Sequence, residues 1–130
     1  MQRTVLRMLD EAASNFGGAP YALKKAEGGY KALSYKEAAN QAKAIGAWLV
    51  AGGFAKGDRV AILAEGCPEW IVAEFGLLSA GCISVPLSIK LIKEEIPFRL
   101  EHSGSKAIFT THNQLEKVLG SLGLVKDASL

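Results

Sequence analysis

Two glycines, Gly52 and Gly57, stand at the spacing that opens a phosphate-binding G-x-x-x-x-G-K-[ST] loop. In such a loop the backbone amides cradle phosphate oxygens and the lysine neutralises them. Here Asp58-Arg59 occupies the Lys-Ser/Thr positions, and the glycines follow a helical pattern and precede a strand pattern. That order is the reverse of what a phosphate loop needs. The stretch reads as a helix C-cap and a turn that feeds a strand.

Glu65-Gly66-Cys67-Pro68 is the second candidate. It leaves the carboxyl end of a strand pattern and enters a helix, where open α/β sheets bind ligands and helix amides attract anions. It lacks a G-x-G-x-x-G fingerprint, and Glu65 would repel a phosphate, so a connecting turn is expected. A helix N-terminus lowers a thiol pKa, yet no histidine lies near Cys67 in sequence to act as its base; an inert Cys67 is expected, and Cys82 reads as a small core residue. His102 and His112 are spaced beyond a single-helix metal pair, with no Cys, Asp or Glu cluster to complete a site. His102 has a simpler role beside the negative end of a helix. Glu74 would need Glu69 or Glu94-Glu95 beside it to form a carboxylate pair, and nothing in the sequence brings them together. Trp48 and Trp70 stand at helical spacing and are expected to pack. No residue is therefore assigned a catalytic, cofactor-binding or metal-ligating role.

The elements that carry these residues follow from hydrophobic period. Val5, Met8, Leu9, Ala12, Ala13 and Phe16 predict an amphipathic helix, with Thr4 as N-cap and Gly17-Gly18 as its stop. Segments 21–24 and 30–33 flank Glu27-Gly28-Gly29 and predict a β-hairpin. Ser34-Tyr35-Lys36-Glu37 has the form of a capping box. Behind it Tyr35, Ala38, Ala39, Ala42, Ile45 and Leu49 give a helix an apolar face, and Gly52-Gly53 ends it. Residues 59–63 read as a buried strand. Pro68 and Glu69 suit the start of a nearly all-apolar helix running through Ala80, which should be buried on most sides. Residues 82–85 predict a strand that Pro86 terminates. Residues 93–102 have helical spacing with Ile92, Ile96 and Leu100, but Pro97 requires that helix to start late or bend. Residues 106–110 predict a third strand, and Asn113-Gln114-Leu115-Glu116 a cap for a last helix carrying Leu115, Val118, Leu119 and Leu122.

From Arg59 the order is strand, helix, strand, helix, strand, helix, which indicates a parallel sheet with flanking helices. The expected fold is α/β and mostly parallel, preceded by a helix and a hairpin, in one domain over residues 1–130. That length suits a single domain, and a hydrophobic fraction of 49% can fill its core. Fifteen basic residues against thirteen acidic ones leave a net charge of +2, too even a balance for a nucleic-acid surface. Two cysteines at this spacing fit neither a zinc set nor a redox pair, and without a signal peptide they are expected as free thiols in the cytoplasm. The most apolar stretch, residues 70–85, is interrupted by Glu74, Gly76 and Gly81 and is too short to span a bilayer.

Several of these segments, taken in order, resemble the adenylate-forming enzymes, in particular long-chain fatty acid–CoA ligases. Leu33-Ser34-Tyr35 is similar to the family's Leu-Thr-Tyr helix start, and Gly57-Asp58-Arg59-Val60 to its Gly-Asp-x-Val. Gly66-Cys67-Pro68-Glu69-Trp70 resembles Asn-x-x-Glu-Trp, with Gly66 where asparagine is common. Ala80-Gly81-Cys82-Ile83-Ser84-Val85-Pro86-Leu87 resembles Ala-Gly-x-x-x-Val-Pro-Leu, and Ser103-Gly104-Ser105-Lys106 the Ser-Gly-x-Lys exit. The similarity spans residues 4–111.

The resemblance implies the N-terminal subdomain of the acyl-CoA synthetase large domain, an incomplete portion of a larger unit. In the parent enzyme a fatty acid would become an acyl-adenylate and then an acyl-CoA, with ATP, Mg²⁺ and coenzyme A. The family's phosphate loop, aromatic-Thr-Glu motif, ribose-binding Asp and catalytic Lys lie downstream, and none can be placed on this sequence. No cofactor is thus expected on the chain itself, which is expected to be inactive alone. Its expected partners are the rest of the parent or a second copy through a cut surface, with residues 124–130 reading as a cut before a further strand. The parent is expected in the cytoplasm, with peripheral attachment at the inner membrane face as a further option. A stand-alone α/β interaction or binding module is the alternative. A small nucleotide-binding enzyme of flavodoxin type has the right alternation but no phosphate loop.

Overall fold

The computed structural model of the chain describes residues 3–123, so the reading of residues 124–130 lies outside it. Helix α1 (Val5–Phe16) begins where the Thr4 hydroxyl accepts the Arg7 amide. Strands β1 (Pro20–Ala26) and β2 (Gly29–Ser34) form the antiparallel hairpin. Its turn needs a left-handed residue, supplied by Gly28 at φ 78°. Helix α2 (Tyr35–Ala51) starts on the full capping box: Ser34 Oγ accepts the Glu37 amide, and the Glu37 carboxylate accepts the Ser34 amide at 2.8 Å.

Beyond α2 the chain alternates. Strand β3 (Arg59–Leu63), helix α3 (Pro68–Ser79), strand β4 (Ile83–Leu87), helix α4 (Ile96–Ser103) and strand β5 (Ser105–Thr110) lead to a short 3-10 turn and helix α5 (Leu115–Leu122). The three strands form one parallel sheet in the order β4-β3-β5. Because strand side chains alternate, β3 feeds two cores. Val60 and Ile62 join Leu49 of α2 and Ala73 and Leu77 of α3 on one face. Ala61 and Leu63 meet Ile96 and Leu100 of α4 and Val118 of α5 on the other. A central parallel strand buried on both faces reads as an unbroken apolar run. A third cluster, Leu9 with Ala39 and Ala42, holds α1 on α2.

Helices α2 and α3 cross at a pair of glycines. A Cβ on Gly46 would stand 2.7 Å from Ser79 Cβ, and one on Gly76 would stand 2.6 Å from Ile45 Cβ. Only residues without side chains permit that approach.

Three sequence expectations need correction, and one open choice is resolved. Pro86 does not end β4 but lies inside it, opposite Ile62. The Ile83 amide donates to Asp58 O, so by alternation Ser84 and Pro86 turn their main-chain groups to the free edge, where proline's missing N–H costs no ladder bond. Trp48 does not pack: it is 65% exposed, because the stripe buried along α2 is Ala38, Ala39, Ala42, Gly46 and Leu49 and Trp48 lies outside it. Of the two outcomes Pro97 allowed, helix α4 takes the late start, at Ile96, which places Pro97 in its first turn and leaves Ile92 exposed outside it. The Asn113 region forms the 3-10 turn His112–Gln114, and α5 begins without a side-chain cap.

Candidate functional site

The carboxyl ends of the parallel strands are where an open α/β sheet places ligands. Strand β3 delivers Glu65 there, and β5 delivers Thr110 and Thr111. Glu65 Oε1 accepts from Gln114 Nε2 at 2.5 Å, and Oε2 accepts from the Thr111 hydroxyl. The Thr110 hydroxyl donates to Leu63 O at 2.9 Å. The Gln114 and Thr111 bonds, in that order, hold the Glu65 carboxyl below the usual carboxylate range. Both carboxylate oxygens are thus committed, and Glu65 ties the β3–α3 loop to the β5–α5 loop as a strut.

Cys67 is the residue before α3 and makes no side-chain cap bond. Burial pushes its thiol pKa up, and the Trp70 amide only partly opposes that. That direction is opposite to the lowering that a helix N-terminus alone would give. Cys82 is buried in the core, as expected.

The glycine loop before β3 sits at the other end of the sheet. Asp58 accepts the Ala55 amide at 2.9 Å and pairs with Lys106 at 2.8 Å. Those two contacts, the amide first, hold its carboxyl low. The loop closes α2 onto β3, and Asp58-Arg59 stands where a phosphate loop carries its Lys-Ser/Thr pair.

The remaining candidates stay apart. His102 ends α4 and stacks on Phe98 at 5.5 Å, whereas His112 lies in the turn after β5. Glu69 pairs with Lys24 at 2.9 Å, Glu94 lies 3.9 Å from Lys93, and Glu95 accepts the Ile92 amide. Glu74 Oε2 is buried without a partner among the described residues, as is Ser84 Oγ. Among the described residues no group of three or more His, Cys, Asp or Glu could hold a metal ion, and no helix is long and apolar enough to cross a membrane.

Sequence reasoning missed the concave surface beside the hairpin. One cavity of about 420 Å³ lies between β1–β2 and the starts of α2 and α3, with Lys24, Lys31, Glu37 and Glu69 on its walls. A second, of about 560 Å³, lies between the outer edge of β1 and the first turn of α3, walled by Leu23, Lys25, Cys67, Trp70 and Ile71. The hairpin was readable, but the approach of α3 to it is a tertiary fact.

Comparison with known proteins supplies what the side chains do not. The family described as AMP-binding enzyme matches residues 9–129. Fatty acyl-CoA synthetase A of Dictyostelium discoideum is 32% identical over 92% of the chain, which spans 18% of that protein. Crotonobetaine/carnitine–CoA ligase of Citrobacter koseri is 30% identical over 81% of the chain, which spans 20% of that protein. The chain thus covers about a fifth of the length of these curated relatives. Among solved structures, the inhibitor-bound N-terminal domain of FACL13 from Mycobacterium tuberculosis superposes with a TM-score of 0.85 at 23% identity, over 98% of the chain and 31% of that domain.

Proposed function

The chain belongs to the AMP-binding enzyme family, and from that premise we propose that it is the front part of an acyl-CoA synthetase with no catalytic activity of its own. The observation that carries the reading is the family match over residues 9–129 joined to a sheet end whose polar groups are already paired. The reaction proposed for the whole enzyme has two steps. A carboxylate attacks the α-phosphorus of ATP and expels pyrophosphate, giving an acyl-adenylate; the thiol of coenzyme A then attacks the acyl carbon and expels AMP. The fatty acyl substrate is part of the proposal, because one relative is a fatty acyl-CoA synthetase and another a crotonobetaine/carnitine ligase.

The residues present do not fit ATP or Mg²⁺. Asp58 is committed to Ala55 and Lys106, and Glu65 to Gln114 and Thr111, so neither offers a free carboxylate to a metal, and no step is routed through them. The part played by this region is scaffold. It gives the parent a parallel sheet on which downstream segments build the site, with the incomplete α/β unit of residues 1–130 as a portion of the larger domain.

Incubating the purified chain with ATP, Mg²⁺ and dodecanoate should release no pyrophosphate above a protein-free blank. Sustained release would overturn the reading, as would stoichiometric ATP binding by calorimetry. One observation favours the alternative of an interaction module: the last two turns of α2 expose Ala44, Ala47, Trp48, Val50 and Ala51 without a charge among them. Light scattering decides it, since a monomer at every concentration removes self-association.

A further inference from the structure

Among the described residues, strand β4 has β3 on one side and no strand on the other. An open strand edge is a template for pairing. With the Ile83 amide bonded to Asp58 O, the main-chain groups of Ser84 point along that open side, while Pro86 offers only a carbonyl. Pro86 thus limits how far a ladder can run, and side chains must do most of the selecting. Ser84 stands in register with Val60, whose side chain lies in the α2–α3 core. The Ser84 hydroxyl therefore rises on the face that α3 covers. On α3, Trp70, Ala73 and Leu77 make the stripe packed toward the sheet, and Gly76 marks the side that meets α2. At about 3.6 residues per turn, Glu74 falls on the flank away from Gly76, where α3 packs on β4. Glu74 Oε2 and Ser84 Oγ are both buried without a hydrogen-bond partner among the described residues. Two unanswered polar atoms thus lie on the same face of one open strand edge.

Buried polar atoms in native proteins have partners, and an ionised carboxylate can only accept. What completes the pair is a donor, and a cation answers the charge as well. A second copy of this chain does not supply one. Pairing β4 with β4 across a two-fold axis sets Glu74 against Glu74 on the same face, and juxtaposed like charges disfavour that contact. An apolar cover would seal the carboxylate oxygen away with nothing to bond it. We propose that the β4 edge receives an extended segment of the longer synthetase that carries an arginine, its main chain on Ser84 and its guanidinium on Glu74 Oε2 and Ser84 Oγ. The planar fork of arginine can reach both acceptors at once. This rests on the reading that the chain, a fifth of the length of its relatives, is part of a longer enzyme. It adds the charge of the segment that covers β4.

The Ser84 amide makes the test local. Titrating the isotope-labelled chain with the blocked peptide acetyl-Thr-Val-Arg-Val-Thr-amide should shift the Ser84 amide resonance saturably and slow its exchange with solvent. The Val60 amide, in the central strand, should stay unchanged. The same peptide with Gln in place of Arg should bind about tenfold more weakly, as loss of charge-assisted contacts predicts, and with Glu more weakly again. In the Glu74→Gln variant the Arg peptide should fall to the level of the Gln peptide. Should that variant fail to fold, Ser84→Ala gives a second reading, since losing one acceptor should narrow the preference for Arg over Gln. No saturable shift with the Arg peptide, equal affinity of the Arg and Gln peptides, or a preference for Arg unchanged in both variants would each overturn the proposal. Protection of the Ser84 amide that rises with protein concentration and needs no peptide would overturn it in favour of pairing between copies. Failure of the peptides leaves the scaffold reading standing, whereas pyrophosphate release by the chain alone sinks that reading and leaves the charge preference of β4 in place.

Discussion

Glu65 shows how a residue's chemistry is decided by neighbours far along the chain. In sequence it is an acid in a strand-to-helix loop; in the fold its two oxygens accept from Gln114 and Thr111. A carboxylate stabilised in its charged form has a folded pKa below its unfolded value, so its contribution is complete above the unfolded pKa and is lost as pH falls through the folded one. Glu37, held low by the Ser34 amide and hydroxyl, and Asp58, held low by the Ala55 amide and then Lys106, act in the same direction. The chain should therefore lose stability as pH drops from about 5 downward, the window set by ordinary carboxylate values. Glu65→Gln should lower the urea midpoint near neutrality and flatten its fall on acidification. An acid limb as steep as that of the unaltered chain would show that Glu65 is not one of the groups responsible.

Helix α2 carries two devices of different visibility. The capping box at Ser34 and Glu37 is local, and it stands in the structure as the residue pattern implies. Ser34→Ala should cost about 1 kcal/mol, a typical cap loss, read as a lower urea midpoint at unchanged slope; an unchanged midpoint would contradict the bond pattern. The crossing with α3 is not local. Gly76 reads in sequence only as a break in an apolar run, and Gly46 does not stand out at all, yet their missing side chains let the two helices touch. Gly76→Ala forces a methyl against Ile45 Cβ, a β-branched atom with little rotamer freedom, so about 1–3 kcal/mol should be lost to overpacking. Adding Ile45→Ala should recover part of that loss, and strict additivity of the two changes would refute the contact. Element order, the late start of α4 and the buried β3 were likewise legible, because period and proline placement act within a dozen residues. The place of Pro86 and the exposure of Trp48 were not. The first depends on which edge of the sheet β4 occupies, the second on which face of α2 its neighbours cover.

At the scale of the molecule, β3 is the element on which cooperativity turns. Ile62 faces the α2–α3 core and Leu63 faces the α4–α5 core, and both are almost fully buried, at 1% and 0% exposure. If residues 3–123 fold as one unit, damage to either core must be felt in both, because neither helical layer has another strand to bury against as completely. Ile62→Ala and Leu63→Ala should each cost about 2–5 kcal/mol, the range for truncating a buried aliphatic side chain. The decisive comparison is between probes. In a Trp48→Phe background, Trp70 emission reports the α2–α3 side, where it packs on the core, while far-ultraviolet dichroism reports every helix. Leu63→Ala alters the opposite side, yet it should shift the Trp70 transition as far as the dichroism transition, as two-state unfolding requires. A Trp70 transition left in place while dichroism loses an early phase would mean that α4 and α5 unfold alone. The chain would then be two weakly joined layers, and the single-unit reading on which the scaffold proposal depends would fall.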